Sequence, residues 1–344
     1  MKISSGGVDG MNAYVIDIGG TNTKFALMSG EGDIRLRRQI PTVYTSAEAY
    51  VESLVSLIKD HPGEGEGIAV STNGRMDREG HTYRAYTMNI LRGMNLKNEL
   101  ERRTGLPVSV LNDGSSAALG EWWKGAGRGS KNCLTVVLGS GMGGGLILNG
   151  ELYQGSRRNA AMLFFMVNGY DGTKSEICCL STTFSLLLYQ LAAIKQKPPA
   201  EMTGDRFFAY LAEGDGAART MLDVYNRDIA AAVFNAAMLL DLDCVVVSGG
   251  LAERDEIIDG INENLRNIPV RAFAGIDGGF LDMLLTDEAD LRVQVKKGEL
   301  TRDANLYGAL YYMLRERPQN TLRDTHRGQT PPGAQGGIQG GPGK

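Results

Sequence analysis

Apolar residues in this chain come in short unbroken runs that end at glycine. Tyr14-Val15-Ile16 leads into Asp17-Ile18-Gly19-Gly20-Thr21-Asn22-Thr23-Lys24, and Phe25-Ala26-Leu27-Met28 then reads as a second strand, so the glycines sit at a β-hairpin tip. Residues 134–153 repeat this plan: an apolar strand, a glycine tip from Gly139 to Gly145, a second strand and a tight turn at Asn149-Gly150. The first copy turns likewise at Ser29-Gly30. A third run, Cys244-Val245-Val246-Val247, lacks polar alternation, as a strand buried on both faces would, and ends in Gly249-Gly250 before a helical stretch from Glu253 to Leu265. Helical spacing recurs at Val51, Leu54, Val55 and Ile58 behind a capping box Thr45-Ser46-Ala47-Glu48. It recurs again in alanine-rich Ile229–Leu240, and at Leu306, Leu310 and Met313 within 303–314. Pro107–Leu111 is predicted to be a strand delivering Asn112 and Asp113, with a helix following from Ser115 to Trp123.

An isolated Gly-Gly does no more than turn a hairpin; the second copy suggests two hairpins facing across one nucleotide. Glycines let backbone N–H groups approach phosphate oxygens, Thr21 and Thr23 add hydroxyls, and Asp17 is a candidate holder of hydrated Mg²⁺. Neither a Walker loop nor a dinucleotide fingerprint is present, because a strand rather than a helix follows the glycines.

Together these pieces resemble the actin-like phosphotransferase superfamily and, within it, the ROK family of bacterial sugar kinases, over residues 12–314. The resemblance rests on the box Asp17–Lys24, on Asn112-Asp113 followed by Ala117-Ala118-Leu119-Gly120-Glu121, on Leu138–Gly145 and on Val247–Leu251, in the family's order. It implies an α/β fold of two actin-like (ribonuclease H-like) domains with a nucleotide cleft between them. The expected division is a leader over 1–10, a small domain over 11–115 joined by a returning helix over 302–316, a large domain over 116–301 and a disordered tail over 318–344.

By the same resemblance, ATP and Mg²⁺ are the cofactors. Gly19, Gly20, Thr21 and Lys24 serve the first phosphate hairpin, Gly139, Ser140, Gly141, Gly143 and Gly144 the second, and Gly249 and Gly250 the adenosine. Gly74, Asn89 and Asn112 bind the sugar, and Asp113 takes the proton from the attacking hydroxyl, commonly that on C6. Read without the family, an Asp before a helix is more often its N-cap, and Lys24 is as readily a solvated surface lysine.

The pattern breaks where the sugar should be held. The family's GEIGHM segment aligns with Ala161-Met162-Leu163-Phe164-Phe165-Met166, which removes a Glu and a His, and a further family Glu aligns with Ser181. Hydrogen bonds to charged groups contribute roughly 1.5 to 3 kcal/mol each, so even one loss weakens an ordinary hexose about ten- to a hundredfold. Three explanations stay open: an apolar or aryl substituent on the substrate, a shifted alignment, or lost catalysis with retained nucleotide binding. Core packing is an equal account of Met162, Phe164 and Phe165. Packing is the better account of Trp122 and Trp123, and Arg157 and Arg158 read as solvated loop residues.

Composition narrows the partners. With 42% hydrophobic and 22% charged residues the chain is of ordinary globular type, and a formal charge of -4 gives no basic footprint for nucleic acid. Only 16 residues precede Asp17, too few for the DNA-binding domain of ROK repressors. No apolar run is long enough for a membrane span, and the four cysteines, without disulfide spacing, fit the cytoplasm. Cys178-Cys179 stands where many ROK proteins carry a zinc cluster, with no histidine nearby, so no zinc site is expected; a homodimer is common in the family. The resulting expectation is an ATP-dependent kinase of a hexose or hexose derivative. Its rivals are a nucleotide- or sugar-binding sensor of the same fold and a non-sugar kinase of the superfamily, for which a basic residue in the pocket is expected.

Overall fold

The computed structural model describes residues 10–77, 79–84, 89–139, 141–170, 175–273 and 293–323. The strands are β1 (Asn12–Ile18), β2 (Asn22–Ser29), β3 (Ile34–Pro41), β4 (Ile68–Thr72), β5 (Arg75–Met76), β6 (Thr82–Arg84), β7 (Val108–Asn112), β8 (Cys133–Leu138), β9 (Met142–Leu148), β10 (Glu151–Tyr153), β11 (Val167–Tyr170), β12 (Ser175–Ile177), β13 (Cys244–Ser248) and β14 (Val295–Lys297). The helices are α1 (Ala47–Lys59), α2 (Leu96–Thr104), α3 (Asp113–Lys124), α4 (Cys178–Ser181), α5 (Phe184–Ile194), α6 (Gly204–Ala212), α7 (Gly216–Leu240), α8 (Asp255–Phe273) and α9 (Ala304–Arg323).

Two five-stranded sheets share one plan. The first runs β3-β2-β1-β4-β7 and the second β10-β9-β8-β13-β14. In each, an antiparallel hairpin lies beside strands joined in parallel, β1 with β4 and β4 with β7, then β8 with β13 and β13 with β14. The repeat in the sequence is thus a repeat in space.

Both faces of β1 are covered, which explains its lack of polar alternation. Tyr14, Ile16 and Ile18 face Tyr50, Val51, Leu54 and Val55 of α1. Ala13 and Val15 face Leu306, Leu310 and Met313 of α9, so the last helix returns to the first sheet. In the second sheet, Leu134, Val136, Val245 and Val247 face α5 to α8, while Cys133, Cys244 and Val246 face Leu119 of α3. Helices α3 and α9 cross at glycine: a Cβ on Gly308 would lie 1.7 Å from the carbonyl oxygen of Ser116, and one on Gly120 2.1 Å from that of Ala304.

Several boundaries move. Ser46, not Thr45, caps α1: its backbone is extended and its side chain accepts from Ala49 N at 3.0 Å. Helix α7 begins at Gly216, well before Ile229, where Asp215 supplies a cap invisible to an alanine count. Helix α9 continues past Pro318 to Arg323, into the expected tail; residues 324–344 and the expected leader through residue 9 lie outside the described residues.

Candidate active site

In the first hairpin, β1 and β2 set Asp17 opposite Lys24. The pair forms a salt bridge at 3.1 Å, Asn305 Nδ2 of α9 donates to the other carboxylate oxygen at 2.9 Å, and Lys24 also donates to the carbonyl of Arg302. Lys24 is therefore not a solvated surface residue. Gly19 is required at the tip, since a Cβ there would lie 2.7 Å from the Asn22 carbonyl oxygen, whereas Gly20 and Thr21 are exposed. Thr23 offers nothing to a ligand. It is fully buried, with its hydroxyl 3.1 Å from those of Thr42 and Tyr50.

The second hairpin divides its glycines between two tasks. Gly139 and Gly141 form the tip, closed by the Gly139 N–H to Gly141 carbonyl bond at 3.0 Å, and Ser140 between them lies outside the described residues. Gly143 and Gly144 are ladder residues of β9, opposite Val137 and Val136. A Cβ on Gly145 would lie 2.4 Å from the Gly114 carbonyl oxygen, and one on Gly114 2.3 Å from that of Gly144. This glycine richness lets the first turn of α3 rest directly on the backbone of β9. The position of Asp113 follows from it.

Asn112 ends β7 and is the N-cap of α3, accepting from Ser115 N at 3.3 Å. Its amide nitrogen donates to the Gly74 carbonyl at 3.0 Å and to Asp113 Oδ1 at 2.9 Å; Oδ1 also accepts from Gly114 N at 2.8 Å. Asp113 is thus the first helical residue and not the cap. Part of its surface stays open, yet the atoms packed around it push its pKa up to about 6, first through burial, with the negative charge of Asp17 adding to the rise against the Gly114 and Asn112 bonds.

Strand β13 delivers Gly249, whose φ of +93° and whose missing Cβ, 2.4 Å from the Leu138 carbonyl oxygen, exclude a larger residue. Gly250 borders a cavity of about 340 Å³ lined also by Gly204, Phe208, Leu251, Glu253 and Arg302. Arg302 grips Glu253 with two bonds of 2.8 and 2.7 Å, while its carbonyl accepts from Lys24, joining this cavity to the first hairpin. Glu121, which drew no role from the sequence beyond its motif, is fully buried. It accepts from Ser248 Oγ at 2.8 Å and from the backbone N–H groups of Ala126, Glu299, Leu300 and Thr301 at 3.1 to 3.2 Å. Glycines at 125 and 298, where a Cβ would strike its carboxylate, are the signal that marks it.

At the expected sugar end, Leu163–Phe165 forms a single tight turn in which only Leu163 is buried; Phe165 is 41% exposed, so core packing does not account for it. Phe164 and Phe165 meet edge to face at 5.2 Å, and the Arg75 guanidinium lies 5.8 Å from the centre of the Phe165 ring. Arg158 is half-buried and donates to the Asp77 carbonyl at 3.2 Å, unlike a solvated loop residue, while Arg157 is exposed. Trp122 and Trp123 pack against Tyr311. Ser181 bonds the Cys178 carbonyl at 3.3 Å. Gly74, Asn112 and Asp113 come together, whereas Asn89 is exposed at the start of the turn Asn89–Leu91.

A family model described as the ROK family matches residues 13–290. The chain belongs to the ROK family. A β-glucoside kinase of Listeria monocytogenes is 26% identical over 314 residues, covering 89% of this chain and 98% of that ROK relative. Among solved ROK-like structures, the Lmo2764 protein of Listeria monocytogenes superposes with a TM-score of 0.77 at 25% identity over 89% of this chain and 100% of its own. A ROK glucokinase from Streptomyces griseus, solved with glucose and AMPPNP, gives 0.71 at 24% identity over 88% of this chain and 98% of its own. The two-sheet architecture is accordingly the actin-like fold of ROK sugar kinases. No helix among the described residues is long and apolar enough to cross a membrane.

Proposed function

We propose that this chain, a sugar kinase of the ROK family, transfers the terminal phosphate of ATP to the C6 hydroxyl of a hexose or hexose derivative, with Asp113 as general base. The observation that carries the reading is the carboxylate of Asp113, oriented by Asn112 and raised to about 6. Such a group is mostly ionised at neutral pH yet basic enough to accept a proton. With Oδ1 engaged by Asn112 and Gly114, Oδ2 is left to receive it. The sugar oxygen bonds to the γ-phosphorus, the bond to the bridging oxygen breaks, ADP leaves and the hydroxyl proton passes to Asp113.

Gly19, Gly20, Thr21 and Lys24, with Gly139 and Gly141, would receive the phosphates, and the cavity beside Gly249-Gly250 suits an adenosine. Gly143 and Gly144 would stand behind that tip in the β9 ladder, and Gly145 lets α3 approach. Asp17 would hold Mg²⁺ through water: its oxygen donors suit a hard cation, which when bound neutralises phosphate charge. Lys24 and Asn305 hold that carboxylate in place.

The test is ADP release from ATP and Mg²⁺ over free hexoses, amino-sugars and β-glucosides, beside Asp113→Asn. Turnover on one class, lost in the variant, is expected; turnover that survives the substitution removes Asp113 from the mechanism. A non-catalytic sensor gains nothing from relatives that are kinases.

A further inference from the structure

We propose that Arg75, stacked on Phe165, is a specificity element for an anionic sugar derivative: a hexose bearing a carboxylate or phosphate on the side of the ring away from the hydroxyl that is phosphorylated. The inference rests on the kinase reading above. Arg75 directly follows Gly74, whose carbonyl is held by Asn112 beside Asp113, so it springs from the wall nearest the base. Phe165 comes from the segment that should hold the sugar, and the Arg75 guanidinium lies over its ring, 5.8 Å from the centre. A benzene ring accepts no in-plane hydrogen bond, so the fork of N–H donors keeps its edges free for bidentate capture of a carboxylate or phosphate.

Among the described residues that fork has no hydrogen-bonded protein partner. The Arg75 Nε–H is buried and unpaired, and among the described residues no carboxylate lies within ion-pair distance of it. A buried donor of this kind costs stability until something accepts from it. Arg158 donates to the carbonyl of Asp77, two residues beyond Arg75, so two cations flank one hairpin. Where the family resemblance implies two carboxylates for the sugar, this chain has Met162 and Ser181. The expected sugar end thus presents no carboxylate at Met162 or Ser181, and a guanidinium at Arg75 that pairs with no carboxylate among the described residues.

The test compares kcat/KM for two matched pairs, phenyl against 4-carboxyphenyl β-glucoside and glucose against glucose 1-phosphate, in the wild type, Arg75→Met and Arg75→Lys. The acidic member of at least one pair should exceed its neutral partner by about tenfold, a preference that Arg75→Met abolishes and Arg75→Lys partly keeps. The pair that responds distinguishes carboxylate from phosphate. A merely structural Arg75 would lower both members alike, and an unchanged ratio in Arg75→Met, or a wild-type preference for the neutral members, overturns the proposal. If no compound turns over, the phosphotransfer reading fails by itself, and calorimetric titration of the same four compounds decides. Tighter binding of the acidic members, lost in Arg75→Met, sustains anion recognition; the absence of any such preference ends it.

Discussion

The amide nitrogen of Asn112 lies 2.9 Å from Oδ1 of Asp113 while its own side-chain oxygen caps the helix that Asp113 begins. One side chain thereby supplies both the cap and a bond that orients Asp113, the proposed base. Asn112→Ser, which keeps a capping oxygen and loses the amide donor, should leave thermal stability near that of the wild type and lower kcat/KM by tenfold or more, roughly the worth of one hydrogen bond to a charged group. Asn112→Ala should lose about 1 kcal/mol of stability as well. Equal activity in Asn112→Ser and the wild type, measured by ADP release, would remove the orienting role.

The raised pKa of Asp113 gives a pH profile. As a base it must be ionised, so kcat/KM should rise with pH, bend at about 6 and level above it. Stability runs the other way. The folded pKa exceeds the ordinary value of 3.8, so the fold binds this proton more tightly; that contribution is fully present below 3.8 and is lost as pH rises through about 6. Asp113→Asn, neutral at every pH, should lower activity by at least about a hundredfold. It should also melt at higher temperature than the wild type at pH 7, which scanning calorimetry at pH 4 and pH 7 would check.

Asp17 adds to the rise at Asp113 by its charge. Asp17→Asn should therefore move the acid limb of the remaining activity below pH 6, besides weakening the response to Mg²⁺. A limb that stays put would mean that burial alone sets the basicity of Asp113.

The crossing of α3 and α9 leaves no room for a methyl group. Gly308→Ala, with its new Cβ 1.7 Å from a backbone oxygen, should cost about 3 kcal/mol or more, the upper range for overpacking, because no flexible side chain is there to yield. Chemical denaturation would measure it.

Where local rules decide the structure, the sequence was an adequate guide. The two hairpins, the buried strand β13 and the apolar stripe of α1 follow from runs, turn residues and spacing, all of which act over a few residues. What it hid depends on contacts between distant segments. Gly145 reads as part of a glycine tip until the Gly114 turn of α3 is seen resting on it. Asp113 looks like a cap until Asn112 is seen to take that place. Arg75 drew no reading from the sequence, because its setting depends on Phe165, ninety residues later.

The buried carboxylate of Glu121 binds the N–H groups of Glu299, Leu300 and Thr301, which the chain reaches only 178 to 180 residues later. A ribosome making this protein therefore emits the first sheet and α3 long before α9, the helix that covers their apolar face, exists. Until then that face and a glutamate side chain without its donors are held open together. Completion of the first sheet is thus tied to synthesis of the last helix, and a nascent chain cut short before residue 299 retains an open, sticky sheet.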